Sequence, residues 1–146
     1  MELNTASLVY EFALRLEEKI AKFYEEIASN EKYSKGKERF LFFAKEDKGC
    51  KDLIQRVYQG VITDAIEACY AFTGMEDRDY EVNTALTEDM SYSDVMRKAL
   101  EIEQKTQKFF VDARDRGASF MADLPQAFNT IAKRKARRVD ELRSLI

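Results

Sequence analysis

Two glutamates on the apolar faces of helical segments constrain this chain more than any other feature of its sequence. Across 99–110, inward positions recur at the three- and four-residue spacing of a helix, and Glu103 stands on that line. Residues 13–24 repeat the design, with Glu17 in the matching place. A charge on a buried face is costly unless it is paired, so each glutamate must meet a compensating group inside the protein. The other inward positions are Ala99, Ile102, Thr106, Phe109 and Phe110 in one segment, and Ala13, Leu16, Ile20, Phe23 and Tyr24 in the other.

The first half of the chain predicts two long helices joined by a short polar connection at 31–36. The first helix starts at one of three capping residues, Asn4, Thr5 or Ser7, and ends near Ser29 and Asn30. The second helix shows an apolar stripe across 40–57 and ends near Gly60. Gly49 lies inside it and costs about 1 kcal/mol relative to alanine, so it either permits a close helix contact or is tolerated.

The second half of the chain repeats this arrangement after a long connection. Residues 61–72 predict a short helix or a continuation of the second helix, ended by Gly74, and 75–90 is an irregular crossover. Ser91 and Asp94 have the spacing of a capping box, and the third helix runs from there to about Arg116, with Gly117 as its stop. The run Asp123-Leu124-Pro125-Gln126 opens the fourth helix.

These signals predict one all-α domain over residues 1–146. The chain has a single proline and five glycines, so long helices run with few interruptions. Short links within each pair of helices and a long link between the pairs favour a four-helix bundle made of two helix hairpins. A short extra helix belongs to the crossover.

The charge and the rare residue types exclude several classes of function. A net charge of −3 argues against general binding of nucleic acid or anionic membranes, and we expect neither partner. No apolar run reaches transmembrane length, and the N-terminus lacks the pattern of a signal peptide. Two cysteines, Cys50 and Cys69, do not form a disulfide framework, so we expect a cytoplasmic protein with free thiols. The chain has no histidine, which removes the commonest general base and metal ligand.

An internal repeat relates the two halves. Glu17 and Glu103 are 86 residues apart, and the pairs Asp47 with Lys135 and Cys50 with Arg138 are each 88 residues apart. On these positions the chain resembles the ferritin-like superfamily, and within it the rubrerythrin-like proteins. In that family a glutamate on the first and third helices and Glu-x-x-His on the second and fourth bind two irons in the bundle core.

The resemblance assigns roles to individual residues and also shows where the family pattern is broken. Glu17 and Glu103 match the lone glutamates, Tyr24 matches an aromatic position that often carries a tyrosine, and Phe110 matches its counterpart without the hydroxyl. The Glu-x-x-His motif of the second helix is replaced by Asp47-x-x-Cys50, and that of the fourth helix is replaced by Lys135-x-x-Arg138. Both imidazoles are absent, and two cations occupy positions of metal ligands. The resemblance therefore implies a bundle whose di-iron centre has degenerated.

Three interpretations of these positions remain open at the level of sequence. Glu17, Asp47, Glu103, Lys135 and Arg138 can form an internal cluster of ion pairs, with no cofactor. Alternatively, Lys135 and Arg138 extend to the ends of the bundle and meet nothing inside. The third possibility is a remnant site in which Glu17, Asp47, Cys50 and Glu103 hold a single zinc or iron ion. A complete di-iron oxidase centre lacks its ligand set.

Cysteine and basic residues each have a functional and a structural interpretation. Cys50 is either a small core residue or a redox thiol whose pKa a neighbouring cation lowers, and Cys69 has the same structural interpretation. The basic run at 133–138 suggests nucleic-acid or phosphate binding, but a helix would turn two of its residues inward and leave the others on a solvated face.

We therefore expect a non-catalytic structural or interaction protein that forms a homodimer. The alternative is a metal-binding or redox protein of rubrerythrin-like kind with a reduced site, in which case the activity is that of a di-iron type oxidoreductase. Aromatic residues near the crossover either cover one end of the bundle or form a dimer patch. These residues are Tyr58, Tyr70, Phe72 and Tyr80.

Overall fold

The chain folds into a four-helix bundle. A computed structural model describes residues 1–61, 72–117 and 123–146. Its long helices are α1 (Ala6–Ser29), α2 (Lys37–Val61), α3 (Tyr92–Gly117) and α4 (Asp123–Leu145). Two short 3₁₀ segments accompany them, at Glu31–Gly36 between α1 and α2 and at Asp77–Asp79 in the crossover. The described part of the chain is thus all-α with four long helices, as the sequence predicts.

Local hydrogen bonds fix the helix ends at the predicted residues. The Thr5 hydroxyl accepts from the Leu8 amide at 3.2 Å and so caps α1. At the start of α3, the Ser91 amide donates to Asp94 at 2.9 Å and the Asp94 amide donates to the Ser91 hydroxyl at 3.1 Å. This reciprocal pair is the predicted capping box. The fourth helix opens with the run at 123–126 as predicted, and Asp123 is its first described residue.

Consecutive helices form the two most extensive contacts of the bundle. α1 packs along α2, and α3 packs along α4. α2 and α4 are also neighbours, and Arg39 near the start of α2 pairs with Glu141 near the end of α4. Further along, Asp47 pairs with Lys135, so α2 and α4 run in opposite directions. The core between the helices is dominated by aromatic side chains, with Tyr24, Phe40, Phe43, Phe109, Phe110 and Phe128 all buried.

The crossover is irregular, as predicted, and lysines bind it through its main chain. Lys19 of α1 donates to the carbonyl of Val82 at 2.7 Å, and Lys105 of α3 donates to the carbonyl of Glu81 at 2.9 Å. Two further lysine contacts, from Lys32 to the carbonyl of Glu88 and from Lys98 to that of Ala85, continue the pattern. The crossover is therefore attached to both α1 and α3.

Aromatic residues near the crossover are mostly interior. Phe72 and Tyr80 are buried, and the Tyr80 ring packs against Phe109 with centroids 5.3 Å apart. Tyr58 stacks on Tyr10, with centroids 3.8 Å apart. The dimer-patch interpretation was therefore wrong for Phe72 and Tyr80, because neither is exposed. Tyr70 and Cys69 lie outside the described residues. The short helix predicted at 61–72 also lies outside them, except for its two end residues, Val61 at the end of α2 and Phe72.

The backbone conformation requires a glycine at position 74 but not at position 49. Gly74 has φ of +80°, a left-handed conformation that side chains disfavour, which explains a glycine where the chain turns into the crossover. Gly49 on α2 is exposed, and a Cβ added there would meet nothing within 4 Å. No close helix contact within the described residues requires Gly49.

Candidate functional site

The structure brings together all five residues of the predicted ion cluster in the middle of the bundle. Glu17 comes from α1, Asp47 from α2 and Glu103 from α3, while α4 contributes Lys135 and Arg138. None of the five is more than 2% exposed. Each helix brings its residue inward because the position lies on its apolar stripe, so the helical period that buries the phenylalanines also buries these charges.

Lys135 is the hub of the cluster. Its Nζ lies 2.6 Å from Asp47 Oδ1, and 3.0 and 3.1 Å from the two carboxylate oxygens of Glu17. Glu103 Oε2 is 4.0 Å away. The ammonium therefore contacts carboxylates from the three other helices. The alternative in which Lys135 extends to the end of the bundle is wrong, because its side chain is fully buried.

Arg138 forms a second set of ion pairs one turn further along α4. Its Nη1 lies 2.6 Å from Asp47 Oδ1 and 3.0 Å from Glu103 Oε1. Its Nη2 donates to the Phe43 carbonyl at 2.9 Å and to Glu46 at 2.8 Å. The guanidinium carbon also lies 4.8 Å from the centroid of the Phe43 ring, within the range of a cation–π contact. Asp47 is thus shared by both cations.

Two further side chains complete the cluster. Tyr24 donates its hydroxyl to Glu103 Oε1 at 2.6 Å, so the aromatic position singled out in the sequence has a direct role. Glu46 is a partner of Arg138 that sequence reasoning missed. Its side chain is 20% exposed and lies at the edge of the buried face, so the apolar stripe gives no signal for it. The sequence indicates Glu46 only through its acidic character and its position next to Asp47.

The two glutamates related by the repeat have opposite electrostatic properties. Burial raises the pKa of Glu17 to about 8, because Lys135 offsets only part of the desolvation. Burial acts on Glu103 in the same direction, but Lys135, Arg138 and the hydroxyl of Tyr24 outweigh it and hold its pKa below the ordinary value. At neutral pH, Glu17 is therefore a neutral acid, and Glu103 is ionised.

This difference balances the charge of the buried cluster. Among the five residues that are at most 2% exposed, three carboxyl groups and two cations would leave one excess negative charge if every group were ionised. Although desolvation lowers the pKa of Lys135, the carboxylates of Asp47 and Glu103 outweigh it and keep the pKa above its ordinary value. With a proton on Glu17, these five residues hold two carboxylates and two cations; Glu46 is outside this count because its side chain is 20% exposed. A neutral cluster costs less to bury than a charged one.

The donor set does not fit the di-iron group that the resemblance implies, nor the remnant single-ion site. The ammonium of Lys135 already lies among the carboxylate oxygens of α1, α2 and α3, and an added cation would meet its repulsion. No group of three histidine, cysteine, aspartate or glutamate side chains in the described ranges is arranged to hold a metal.

Cys50 also lacks the properties of a redox thiol. It is buried, and its sulfur accepts a long contact of 3.4 Å from Nη1 of Arg134. Desolvation raises the thiol pKa by more than the neighbouring cations Lys135 and Arg134 lower it, so the net shift is upward. Cys50 behaves as a small core residue.

The basic run on α4 divides as the helical period predicts. Lys135 and Arg138 point into the core, while Lys133 and Arg137 are exposed. Arg134 is half-buried against Cys50. The run is therefore split between the core and the solvated face and does not form one continuous basic surface.

Comparisons with protein-family models, with curated proteins and with solved structures give no match to this chain. None of the helices in the described part of the chain combines the length and the apolar character needed to cross a membrane.

Proposed function

We propose that this chain is a ferritin-like bundle of rubrerythrin type in which a network of side-chain ion pairs has replaced the di-iron centre. We further propose that it acts as a non-catalytic structural or interaction protein, as a homodimer in the cytoplasm. One observation carries the proposal: the Lys135 ammonium contacts carboxylates from three other helices at the centre of the bundle.

The positions of the charges support the ancestry. Glu17 and Glu103 occupy equivalent places in the two halves of the repeat and converge on the same point. The lysine and arginine that meet them stand at the positions where the family carries Glu-x-x-His. A cation fixed to the chain thus provides the positive charge that metal ions would otherwise supply.

The connectivity of the network supports a structural role. α4 contributes both cations, and each of them reaches carboxylates on at least two other helices. Removing one partner from a buried pair leaves an uncompensated charge, which costs about 3–5 kcal/mol. The cluster therefore couples the four helices, because the loss of any one partner strands a charge that another helix contributes.

Metal analysis tests the proposal directly. The purified protein is incubated with ferrous iron or zinc, desalted and analysed for metal. We expect no stoichiometric metal in the wild-type chain, and the same result for Lys133→Ala, an exposed lysine on the same helix. Stoichiometric metal that is lost in Glu17→Ala and Glu103→Ala would overturn the proposal.

The same measurement addresses a second candidate function, a metal-binding or redox protein with a reduced site. Its support is that three buried oxygens, Glu17 Oε1, Asp47 Oδ2 and Glu103 Oε2, have no hydrogen-bond partner among the described residues. Glu17 Oε1 is nevertheless 3.0 Å from the Lys135 ammonium, so it is electrostatically compensated. Two unpartnered oxygens beside a lysine are a poor cation site, which is why the ion-pair network is our first choice.

A further inference from the structure

One face of α2 is exposed along four turns of the helix. Phe42, Lys45, Gly49, Asp52 and Arg56 recur at the three- and four-residue spacing of a helix, and all five are exposed. They lie opposite the buried face that carries Asp47 and Cys50. Phe42 is 59% exposed, which is unusual for a phenylalanine inside a regular helix. We call this set of five residues the α2 stripe.

The charged residues of the α2 stripe differ from the lysines beside them, because they have no ion-pair partner in the part of the chain that the structure describes. On the adjoining flank of α2, Lys48 pairs with Glu25 at 3.1 Å and Lys51 approaches Glu18 at 3.9 Å. By contrast, Lys45, Asp52 and Arg56 form no ion pair with any described residue. Asp52 and Arg56 are four residues apart on the helix, a spacing that permits a pair, yet they do not form one.

No contact among residues 1–61, 72–117 and 123–146 requires a glycine at position 49, the centre of the stripe. A glycine in an exposed helix costs about 1 kcal/mol relative to alanine, and a Cβ there would meet nothing. The missing side chain does, however, leave the backbone open to an approaching helix. Helix axes that pack together are about 8–10 Å apart, and glycine at the crossing permits the shortest distances.

We propose that two copies of this chain pack their α2 stripes against each other in antiparallel orientation, across a two-fold axis close to Gly49. Residues equally distant from the axis then face each other, because a two-fold interface is self-complementary. Phe42 lies seven residues before Gly49 and Arg56 seven residues after it. The guanidinium of Arg56 in one copy therefore meets the Phe42 ring of the other, a cation–π contact that occurs twice.

The same symmetry pairs the remaining charges of the stripe. Lys45 lies four residues before Gly49 and Asp52 three residues after it, so each lysine lies beside an aspartate of the other copy, offset by one residue or about 1.5 Å along the helix. Opposite charges placed in this way fix the register of an interface. A parallel arrangement would instead place Lys45 against Lys45 and Asp52 against Asp52. Charge complementarity thus selects a second copy of the chain in the antiparallel orientation.

This interface rests on the homodimer of the proposed function, and charge exchange tests it. Sedimentation equilibrium over a series of protein concentrations measures the dimer dissociation constant. We expect Lys45→Glu or Asp52→Lys alone to raise that constant at least tenfold, and the double variant to return it to within about threefold of wild type. Lys22→Glu, which reverses a 77% exposed lysine on α1, is the matched control and should leave it unchanged.

A substitution at the centre of the stripe gives an independent readout. Gly49→Leu should raise the melting temperature measured under monomeric conditions, because leucine favours the helix and a Cβ at this position has no neighbour within 4 Å, and it should abolish the dimer. A dimer that tolerates Gly49→Leu and both charge reversals would overturn this interface but leave the homodimer standing. A wild-type chain that sediments as a monomer at every concentration would overturn both.

Discussion

Replacing Glu17 by glutamine should make the protein more stable at neutral pH, although the Glu17 side chain lies 3.0 Å from the Lys135 ammonium. The folded pKa of about 8 lies above the ordinary 4.5, so the folded state holds a proton that the unfolded chain has released. Since the folded state binds more protons, stability falls as pH rises from 4.5 to 8 and is constant above that range. The fall is about 1.4 kcal/mol per pH unit, or roughly 3 kcal/mol at pH 7.

Glutamine removes this penalty because it stays neutral in both states while keeping the shape of the protonated acid. Lys135 retains its 2.6 Å contact with Asp47 in the variant, so the hub stays paired. We expect Glu17→Gln to gain about 2–3 kcal/mol at pH 7 and little at pH 4.5. Urea unfolding at pH 4.5, 6, 7 and 8, followed by circular dichroism, measures the free energy of unfolding and its slope with pH.

Glu103→Gln is the matched control, since it changes the equivalent residue of the other half of the repeat. Its carboxylate is ionised and accepts from Tyr24 at 2.6 Å and from Arg138 at 3.0 Å. Its removal should therefore destabilise the protein by about 3–5 kcal/mol at pH 7. If Glu17→Gln proves less stable than wild type at pH 7 and 8, the assignment of the proton to Glu17 is incorrect.

Three other predictions address different parts of the cluster. Lys135→Ala should lower the free energy of unfolding by about 3–5 kcal/mol, because it leaves buried carboxylates unpaired. Lys133→Ala, which changes an exposed lysine of the same helix, should alter it little. Equal effects of the two variants in urea unfolding would contradict the central role of Lys135. Tyr24→Phe should cost about 1.5–3 kcal/mol through the lost hydrogen bond to Glu103, and a melting temperature equal to that of wild type would argue against that bond. In native Cys69→Ser protein at pH 8, Cys50 should resist a thiol reagent until urea unfolds the chain, because burial raises its pKa to about 11; rapid labelling of the native protein would refute this.

The helices were predictable because their signals are local. The Thr5 cap and the Ser91–Asp94 capping box depend on neighbours within three residues, and both form as predicted. The inward direction of Lys135 and Arg138 was also accessible, because the 3.6-residue period alone fixes which face of α4 a residue occupies.

The pKa values of the buried groups could not be predicted from the sequence, because they depend on the balance between desolvation and contacts with residues distant in the chain. Glu17 and Glu103 have the same pattern around them, yet one holds a proton because it lacks the hydroxyl and guanidinium that reach the other. Cys50 shows the same limitation: a nearby cation and burial act in opposite directions on its pKa, and only the packed structure shows that burial is the larger effect. Their relative sizes depend on depth and distance, which a linear pattern does not encode.

The lysine contacts along the crossover have a consequence for how this segment tolerates change. Each ammonium binds a main-chain oxygen, a group that every amino acid carries, so the identity of Glu81, Ala85 or Glu88 contributes nothing to the attachment. Substitutions at these three positions should be nearly silent, whereas loss of Lys19 or Lys105 should loosen the segment from the helix that holds it. At these three positions the attachment thus depends on the lysines and not on the side chains of the residues they bind, whereas Tyr80 positions the crossover through its own buried ring.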